Sequence, residues 1–210
     1  MKKLCVFLIA FIATYVVIAQ GDIEKGKEKA VACIACHGID GNSPVDAFPK
    51  IAGQNAKYSL KQLLDIKSQA RTSPIMLGII SSLNNEDLEN LSAYFESQTI
   101  SKGSAKKDAN IDLGRSIYKA GKKGEMVSCM SCHGPSGKGI PSAGFPSLYS
   151  QHAKYTIQQL KYFRQTSINL KKGTNELSRS NDYEGMMVDV AKTLTDEEIQ
   201  AVAEYIAGLN

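Results

Sequence analysis

Cys33, Cys36 and His37 stand together as Cys-Ile-Ala-Cys-His, and ninety-six residues later Cys129, Cys132 and His133 repeat the pattern as Cys-Met-Ser-Cys-His. Two thiols three positions apart lie about one helical turn apart. They suit two thioether bonds to the edge of a porphyrin, with the adjacent imidazole turned toward the iron, which is the attachment signature of a c-type haem. Zinc sites and redox dithiols also use paired cysteines, but neither explains the following histidine or the methionines downstream. Of the five cysteines only Cys5 lies outside the motifs, so no thiol is left for a disulfide framework. The expected cofactors are two covalently attached haem c groups.

The second face of each iron needs its own ligand. The first half has one methionine after its motif, Met76, in Arg71-Thr72-Ser73-Pro74-Ile75-Met76. The second half offers two, Met186 and Met187, in Arg179-Ser180-Asn181-Asp182-Tyr183-Glu184-Gly185-Met186-Met187. Register favours Met187, which precedes Leu194 by seven residues as Met76 precedes Leu83; Met186 is the alternative. A lone methionine usually fills a core, whereas one at a matching offset after each motif reads as a thioether ligand. Met126 and Met130 sit too close to the second motif to reach the opposite face.

These residues must be positioned by two copies of one helical unit. A short polar helix from Ile23 to Ala32 leads into the first motif, and its Gly26 corresponds to Gly114 in the helix Leu113 to Ala120. Eight extra residues, including Gly121-Lys122-Lys123-Gly124, precede the second motif and read as an exposed loop. Each histidine is followed by a glycine-rich loop ending in Phe-Pro, at Phe48-Pro49 and Phe145-Pro146, and a ligating imidazole needs an acceptor for its other nitrogen. A helix follows in each unit, with Ala-Lys-Tyr and Gln-Leu recurring in register from Asn55 and from His152. His152 replaces Asn55, so it has no part in the repeated chemistry and reads as a helix-start residue.

The last helix of each unit opens on a capping-box pattern, Asn84-Asn85-Glu86-Asp87 and Thr195-Asp196-Glu197-Glu198. Leu88, Leu91 and Phe95, like Ile199, Val202 and Ile206, then form a stripe that should bury against the first helix of the same unit. Residues 100–110 read as a polar linker between domains at 20–99 and 111–210. Fourteen extra residues in the second unit, around Leu170 to Asn175, have no evident purpose.

The chain has 210 residues and a formal charge of +4. Met1-Lys2-Lys3 and the apolar run Leu4 to Ala19 read as a signal peptide, residues 1–19, cleaved before Gln20, with an uncleaved anchor as the alternative. Export to the periplasm fits covalent haem attachment. From Asp22 to Ser101 eight basic residues face ten acidic ones, and from Lys102 to Asn210 fifteen face eleven, so the halves carry −2 and +4. Such asymmetry can orient a molecule on a charged partner. No basic run with interleaved aromatics supports nucleic-acid binding.

With two haem motifs, two Phe-Pro loops, two methionines and segments such as His133-Gly134-Pro135 and Arg179-Ser180-Asn181-Asp182, the chain after Gln20 resembles the di-haem cytochrome c4 family. The resemblance implies an all-α fold of two tandem class I cytochrome c domains, each a few helices wrapped around one haem. It makes the carbonyls of Pro49 and Pro146 the acceptors for His37 and His133, although both prolines also suit plain turns. It makes Arg71 and Arg179 propionate partners or interface residues. It further implies a periplasmic carrier between a cytochrome bc complex and a terminal oxidase, with peripheral membrane association compatible and no small-molecule substrate.

An iron held by His37 and Met76, or by His133 and Met187, has no vacant position for substrate, and thioether ligation raises its potential. That coordination describes a carrier. The alternatives are a cytochrome subunit of a flavin-containing sulfide dehydrogenase, a thiosulfate-oxidising enzyme or a peroxidase, and, more distantly, a haem sensor; each enzyme or sensor would need an open or labile face.

Overall fold

The first unit starts where the Asp22 carboxylate caps helix α1 (Ile23–Lys29) by accepting the N–H groups of Glu24 and Lys25. A 3-10 turn, Ala30–Cys33, leads into the single helical turn α2 (Ile34–His37). Helices α3 (Ala56–Lys67), α4 (Pro74–Ile80) and α5 (Asn85–Ser97) complete the unit. The second unit repeats the order with α6 (Ile111–Ala120), α7 (Met130–His133), α8 (Ala153–Lys172), α9 (Met186–Ala191) and α10 (Asp196–Ala207). This is a computed structural model that describes residues 21–209, so the expected signal peptide, its cleavage before Gln20 and Cys5 lie outside the described residues. Among the described residues there are no strands, only the isolated bridges Lys122 to Met126 and Ile140 to Phe145, and no helix is long and apolar enough to cross a membrane.

Each closing helix starts on a complete capping box. Asp87 N–H donates to Asn84 at 2.9 Å and Asn84 N–H to Asp87 at 3.0 Å; Glu198 N–H donates to Thr195 at 3.2 Å and Thr195 N–H to Glu198 at 2.8 Å. Two otherwise orphaned N–H groups are thereby satisfied at each end. The stripes that follow are buried as the spacing requires: Leu88, Leu91 and Phe95 in α5, and Ile199, Val202 and Ile206 in α10. At about 1.5–3 kcal/mol per fully buried aliphatic or aromatic side chain, these stripes are a main source of stability in each unit.

The stripes seat because the crossing helices approach closely. A Cβ on Gly26 would collide with the backbone carbonyl of Asn90 and lie 2.8 Å from Cβ of Tyr94; one on Gly114 would collide with the carbonyl of Ala201 and lie 2.8 Å from Cβ of Tyr205. Glycine is required there by proximity rather than by backbone angle. The apolar cores themselves are divided. In the first unit Ala30, Leu91, Tyr94 and Phe95 form one cluster and Ile66, Ile80 and Leu88 another, with Leu83 touching both. In the second, Met187 touches both the large cluster around Tyr118 and Ile199 and the smaller one of Phe163, Val188 and Ala191.

Two inserted stretches take shapes that composition did not indicate. The segment from Gly121 to Gly124 is not simply an exposed loop: it closes a tight turn through the Lys122–Met126 bridge, and Lys122 is pinned to the Thr193 carbonyl at 2.9 Å and to Glu198. Lys123, Gly124 and Glu125 form its exposed tip. The insertion around Leu170 extends α8 to twenty residues, against twelve in α3. No helix breaker intervenes before Gly173, which ends α8 in the left-handed region at φ 66°. The Asn169 side chain then folds the following turn back by donating to the Glu176 carbonyl at 2.7 Å.

The connection between units lies against both of them. Ser101 N–H donates to Asn42 at 2.7 Å, the Ser101 carbonyl accepts from Lys50 at 2.8 Å, and Lys106 N–H donates to Glu204 at 2.9 Å. It is a strap, fixed at both ends.

Candidate functional site

Helices α2 and α7 are too short to be stable alone. Each ends on a glycine at positive φ, Gly38 at 80° and Gly134 at 76°, whose N–H caps the turn by donating to Ile34 or Met130 at 2.9 Å. That geometry needs no Cβ and lets the chain turn sharply away beside the histidine. The four motif cysteines are free and half-buried, while His37 and His133 are each only 6% exposed.

The two histidines have the same partner. Nδ1 of His37 lies 2.9 Å from the Pro49 carbonyl and Nδ1 of His133 lies 2.9 Å from the Pro146 carbonyl. A carbonyl only accepts, so Nδ1 carries the proton and Nε2 keeps its lone pair. Burial holds both imidazoles below the ordinary histidine range, outweighing the opposing pull of the carbonyl. A neutral imidazole with one nitrogen oriented by an acceptor is the form that binds iron.

The thiols discriminate between the chemistries open to paired cysteines. Burial pushes Cys33 and Cys129 up to about 11, and the neighbouring Cys36 and Cys132 push in the same direction. A redox dithiol needs the opposite shift. Among the described residues no group of three or more histidines, cysteines and carboxylates gathers to hold a metal ion directly, so zinc finds no further ligands. Two free thiols beside an oriented neutral imidazole fit haem c.

Met76 lies on α4 and packs half-buried against the cluster of Ile66, Ile80 and Leu88. Met187 lies on α9, half-buried between two clusters, while Met186 next to it is 36% exposed and belongs to neither. The α9 turn is held by Asp182, whose carboxylate accepts the N–H groups of Met187 at 2.7 Å and Val188 at 3.0 Å.

Arg71 and Arg179 meet between the units. Arg179 donates to Tyr58 at 3.0 Å and Gln62 at 2.8 Å in the first unit, and to Gln159 at 2.8 Å and Asn181 at 2.9 Å in its own. Arg71 donates to Tyr155 at 3.1 Å and Gln159 at 3.2 Å in the second unit, and to Gln62 at 3.0 Å in its own. The Arg179 guanidinium also lies 4.6 Å from the Phe163 ring centroid. Burial alone would push the Tyr58 hydroxyl up, but the charges of Arg179 and Arg71 outweigh it and hold the group below the ordinary tyrosine range. Among the described residues neither guanidinium has a carboxylate within ion-pair distance. Asp65 attracts Arg71 from beyond that distance and is itself paired with Lys61, so the two guanidinium charges between the motifs suit a cofactor that carries its own carboxylates.

The glutamines and tyrosines in this contact were given no role by sequence reasoning, although Tyr58/Gln62 and Tyr155/Gln159 occupy matching places in the repeat. Gln54 and Gln151, which also match, were missed too; each clasps the main chain of the other unit. His152 is the N-cap residue of α8, and its Nε2 donates to the Ser43 carbonyl of the first unit at 2.9 Å.

The cytochrome c family model matches residues 23–99 and 111–210. Cytochrome c4 of Pseudomonas aeruginosa is 42% identical over 214 residues, spanning all of both chains. The thiosulfate dehydrogenase electron acceptor of Stutzerimonas stutzeri is 37% identical over 86% of this chain and 80% of its own. Among solved structures, reduced recombinant cytochrome c4 from Pseudomonas stutzeri superposes with a TM-score of 0.82 at 40% identity, covering 90% of this chain and all of that one.

Proposed function

The chain belongs to the di-haem cytochrome c4 family of electron carriers, and from that premise we propose that it shuttles single electrons in the periplasm from a cytochrome bc complex to a terminal haem-copper oxidase. Each domain, 20–99 and 111–210 with the strap 100–110 between them, holds one haem c through Cys33 and Cys36 or Cys129 and Cys132. His37 and Met76 would hold the iron in the first, His133 and Met187 in the second. Bound there, the two haems supply one-electron couples.

The observation that carries this reading is the paired bond from each motif imidazole to a proline carbonyl, His37 to Pro49 and His133 to Pro146. It keeps Nε2 unprotonated and fixes the ring plane in both units. Met76 and Met187, at the same offset before the closing helix of each unit, would supply the second iron ligand in each domain, so that each site would exchange electrons rather than take up oxygen or peroxide. Arg71 and Arg179 would offer positive charge to the carboxylates of the haems between the domains. The unequal charges of the halves, −2 and +4, support different docking partners at the two ends.

An optical redox titration of the purified holoprotein tests the assignment, with carbon monoxide added to the reduced form. Two low-spin haems, both unreactive to carbon monoxide, are expected. Rapid binding at either would mean an open iron and overturn the carrier reading.

A second reading is favoured by the 37% identity to a thiosulfate dehydrogenase electron acceptor. On that reading the same carrier takes its electrons from a sulfur-oxidising enzyme. Reduction by such an enzyme faster than by a bc complex, measured by stopped flow, would select it.

A further inference from the structure

The peptide groups that follow Pro49 and Pro146 have two ends. Their carbonyls accept from His37 and His133, and their N–H groups, those of Lys50 and Ser147, point to the other unit. Lys50 N–H donates to Oε1 of Gln151 at 2.9 Å, and Ser147 N–H donates to Oε1 of Gln54 at 2.8 Å. Each glutamine also donates back: Nε2 of Gln151 to the Lys50 carbonyl at 2.8 Å, Nε2 of Gln54 to the Ser147 carbonyl at 2.9 Å. The second lone pair of each Oε1 accepts the N–H of the next residue, His152 or Asn55, at 3.0 Å. Gln54 and Gln151 are equivalent in the repeat and both are buried, so the clasp is reciprocal and largely shielded from water.

We propose that Gln54 and Gln151 are positioning residues that act across the domain interface, each setting the hydrogen bond of the other domain's haem-ligating histidine. Hydrogen bonds in a chain polarise one another, by about 10–30% per bond. When Gln151 accepts from Lys50 N–H, the shared peptide shifts electron density toward the Pro49 oxygen, and that oxygen pulls harder on the Nδ1 proton of His37. The ring gains negative character, which favours the ferric state of an iron bound at Nε2 and lowers its potential. Gln54 does the same for His133 through Ser147 and Pro146. Each domain thus tunes the other's haem without touching it, and the docking of the two domains becomes part of the redox chemistry.

The inference rests on His37 and His133 being the iron ligands. That reading is tested apart from it, by loss of the low-spin spectrum in His37→Ala and His133→Ala.

Gln151→Met and Gln54→Met keep the side-chain bulk and remove both hydrogen bonds to the other domain. In the holoprotein, Gln151→Met is expected to raise the potential of the haem bound beside His37, and Gln54→Met that of the haem beside His133, each with a smaller change at the haem of its own domain. Gln151→Glu and Gln54→Glu keep the acceptor oxygen, so they should leave the opposite haem at or below its native potential. A generally loosened interface would instead shift both haems alike. The proposal is overturned by equal shifts at both haems, by a larger shift in the variant's own domain, by no shift, or by Glu variants that behave as the Met variants do. In the unaltered holoprotein the amide protons of Lys50 and Ser147 should exchange slowly with solvent; exchange at the rate of unprotected peptide overturns it whatever the variants do.

Discussion

Arg179 extends from the second domain to donate to the Tyr58 hydroxyl of the first at 3.0 Å, and Arg71 makes the reverse contact on Tyr155 at 3.1 Å. Arg179 is 7% exposed, and all three of its guanidinium nitrogens donate to neutral oxygens. A hydrogen bond to a charged group is worth about 1.5–3 kcal/mol, and leaving its partner unpaired costs a similar amount. Arg179→Leu should therefore destabilise the holoprotein by about 3 kcal/mol. Arg179→Lys should rescue little, because one ammonium cannot span Asn181, Gln159, Tyr58 and Gln62 together. Urea unfolding monitored by haem absorbance measures both, and a Lys variant as stable as the native protein would show that charge alone suffices there.

Gly26 and Gly114 give a prediction whose sign separates two effects. Alanine in a helix interior is favoured over glycine by about 1 kcal/mol when nothing opposes it. Here the added methyl would collide with the carbonyl of Asn90 or Ala201 in the facing helix, an atom that cannot move without shifting α5 or α10. Overpacking of that kind costs about 1–3 kcal/mol. Gly26→Ala and Gly114→Ala should each lower stability toward denaturant, with the larger loss of structure in the domain that carries the change. Stabilisation by either would mean that the helices are not held at this separation.

The parts of the fold that were legible in the sequence are those fixed by local chemistry. Capping boxes at Asn84 and Thr195 and the stripes behind them are set by contacts within one or two helical turns, so spacing alone locates them. The cysteines and histidines were legible because they are rare and their spacing is rigid. Gln54, Gln151, Tyr58 and Tyr155 were not, since a polar residue at a helix start or on a helix face reads as solvated until a second domain covers it. Their recurrence in register was visible, but recurrence does not say whether a face is repeated for its fold or for its neighbour. Lys122 was misread for a related reason: its partners, Thr193 and Glu198, are some seventy residues away in the chain.

Acid should weaken the closing helices first. The carboxyl of Asp87 is held below the usual range by its bond to Lys29 and by the capping box, and that of Asp196 by Arg164 and then Lys161. Glu198 is also lowered: burial opposes the shift, but the bond from Thr195 N–H and the contact with Lys122 outweigh it. A carboxyl whose folded value lies below its unfolded one contributes stability above the unfolded value and loses it as pH falls through the folded one. Thermal unfolding temperature should thus be flat above about pH 5 and fall progressively below pH 4. Asp87→Asn and Asp196→Asn should each start lower at neutral pH and fall less steeply. Parallel curves for native and variant proteins would place the acid sensitivity elsewhere.

The two adjacent methionines at the second site make opposite predictions. Met187 is half-buried between the two apolar clusters of its domain, and its backbone N–H is fixed by Asp182 at 2.7 Å. Met186 is exposed and has neither cluster beside it. Replacing a thioether ligand by an apolar side chain of similar size removes one bond to iron while leaving the packing nearly unchanged. Met187→Leu should therefore lose the long-wavelength absorption of the thioether–iron bond, lower the potential of the haem beside His133 and let carbon monoxide bind to that haem alone. Met186→Leu should leave all three readouts as they are, and Met76→Leu should reproduce the Met187 result at the haem beside His37. If Met186→Leu opened the iron and Met187→Leu did not, the register argument from Leu194 would fail, and α9 would have to rotate by about a third of a turn to bring the exposed sulfur inward.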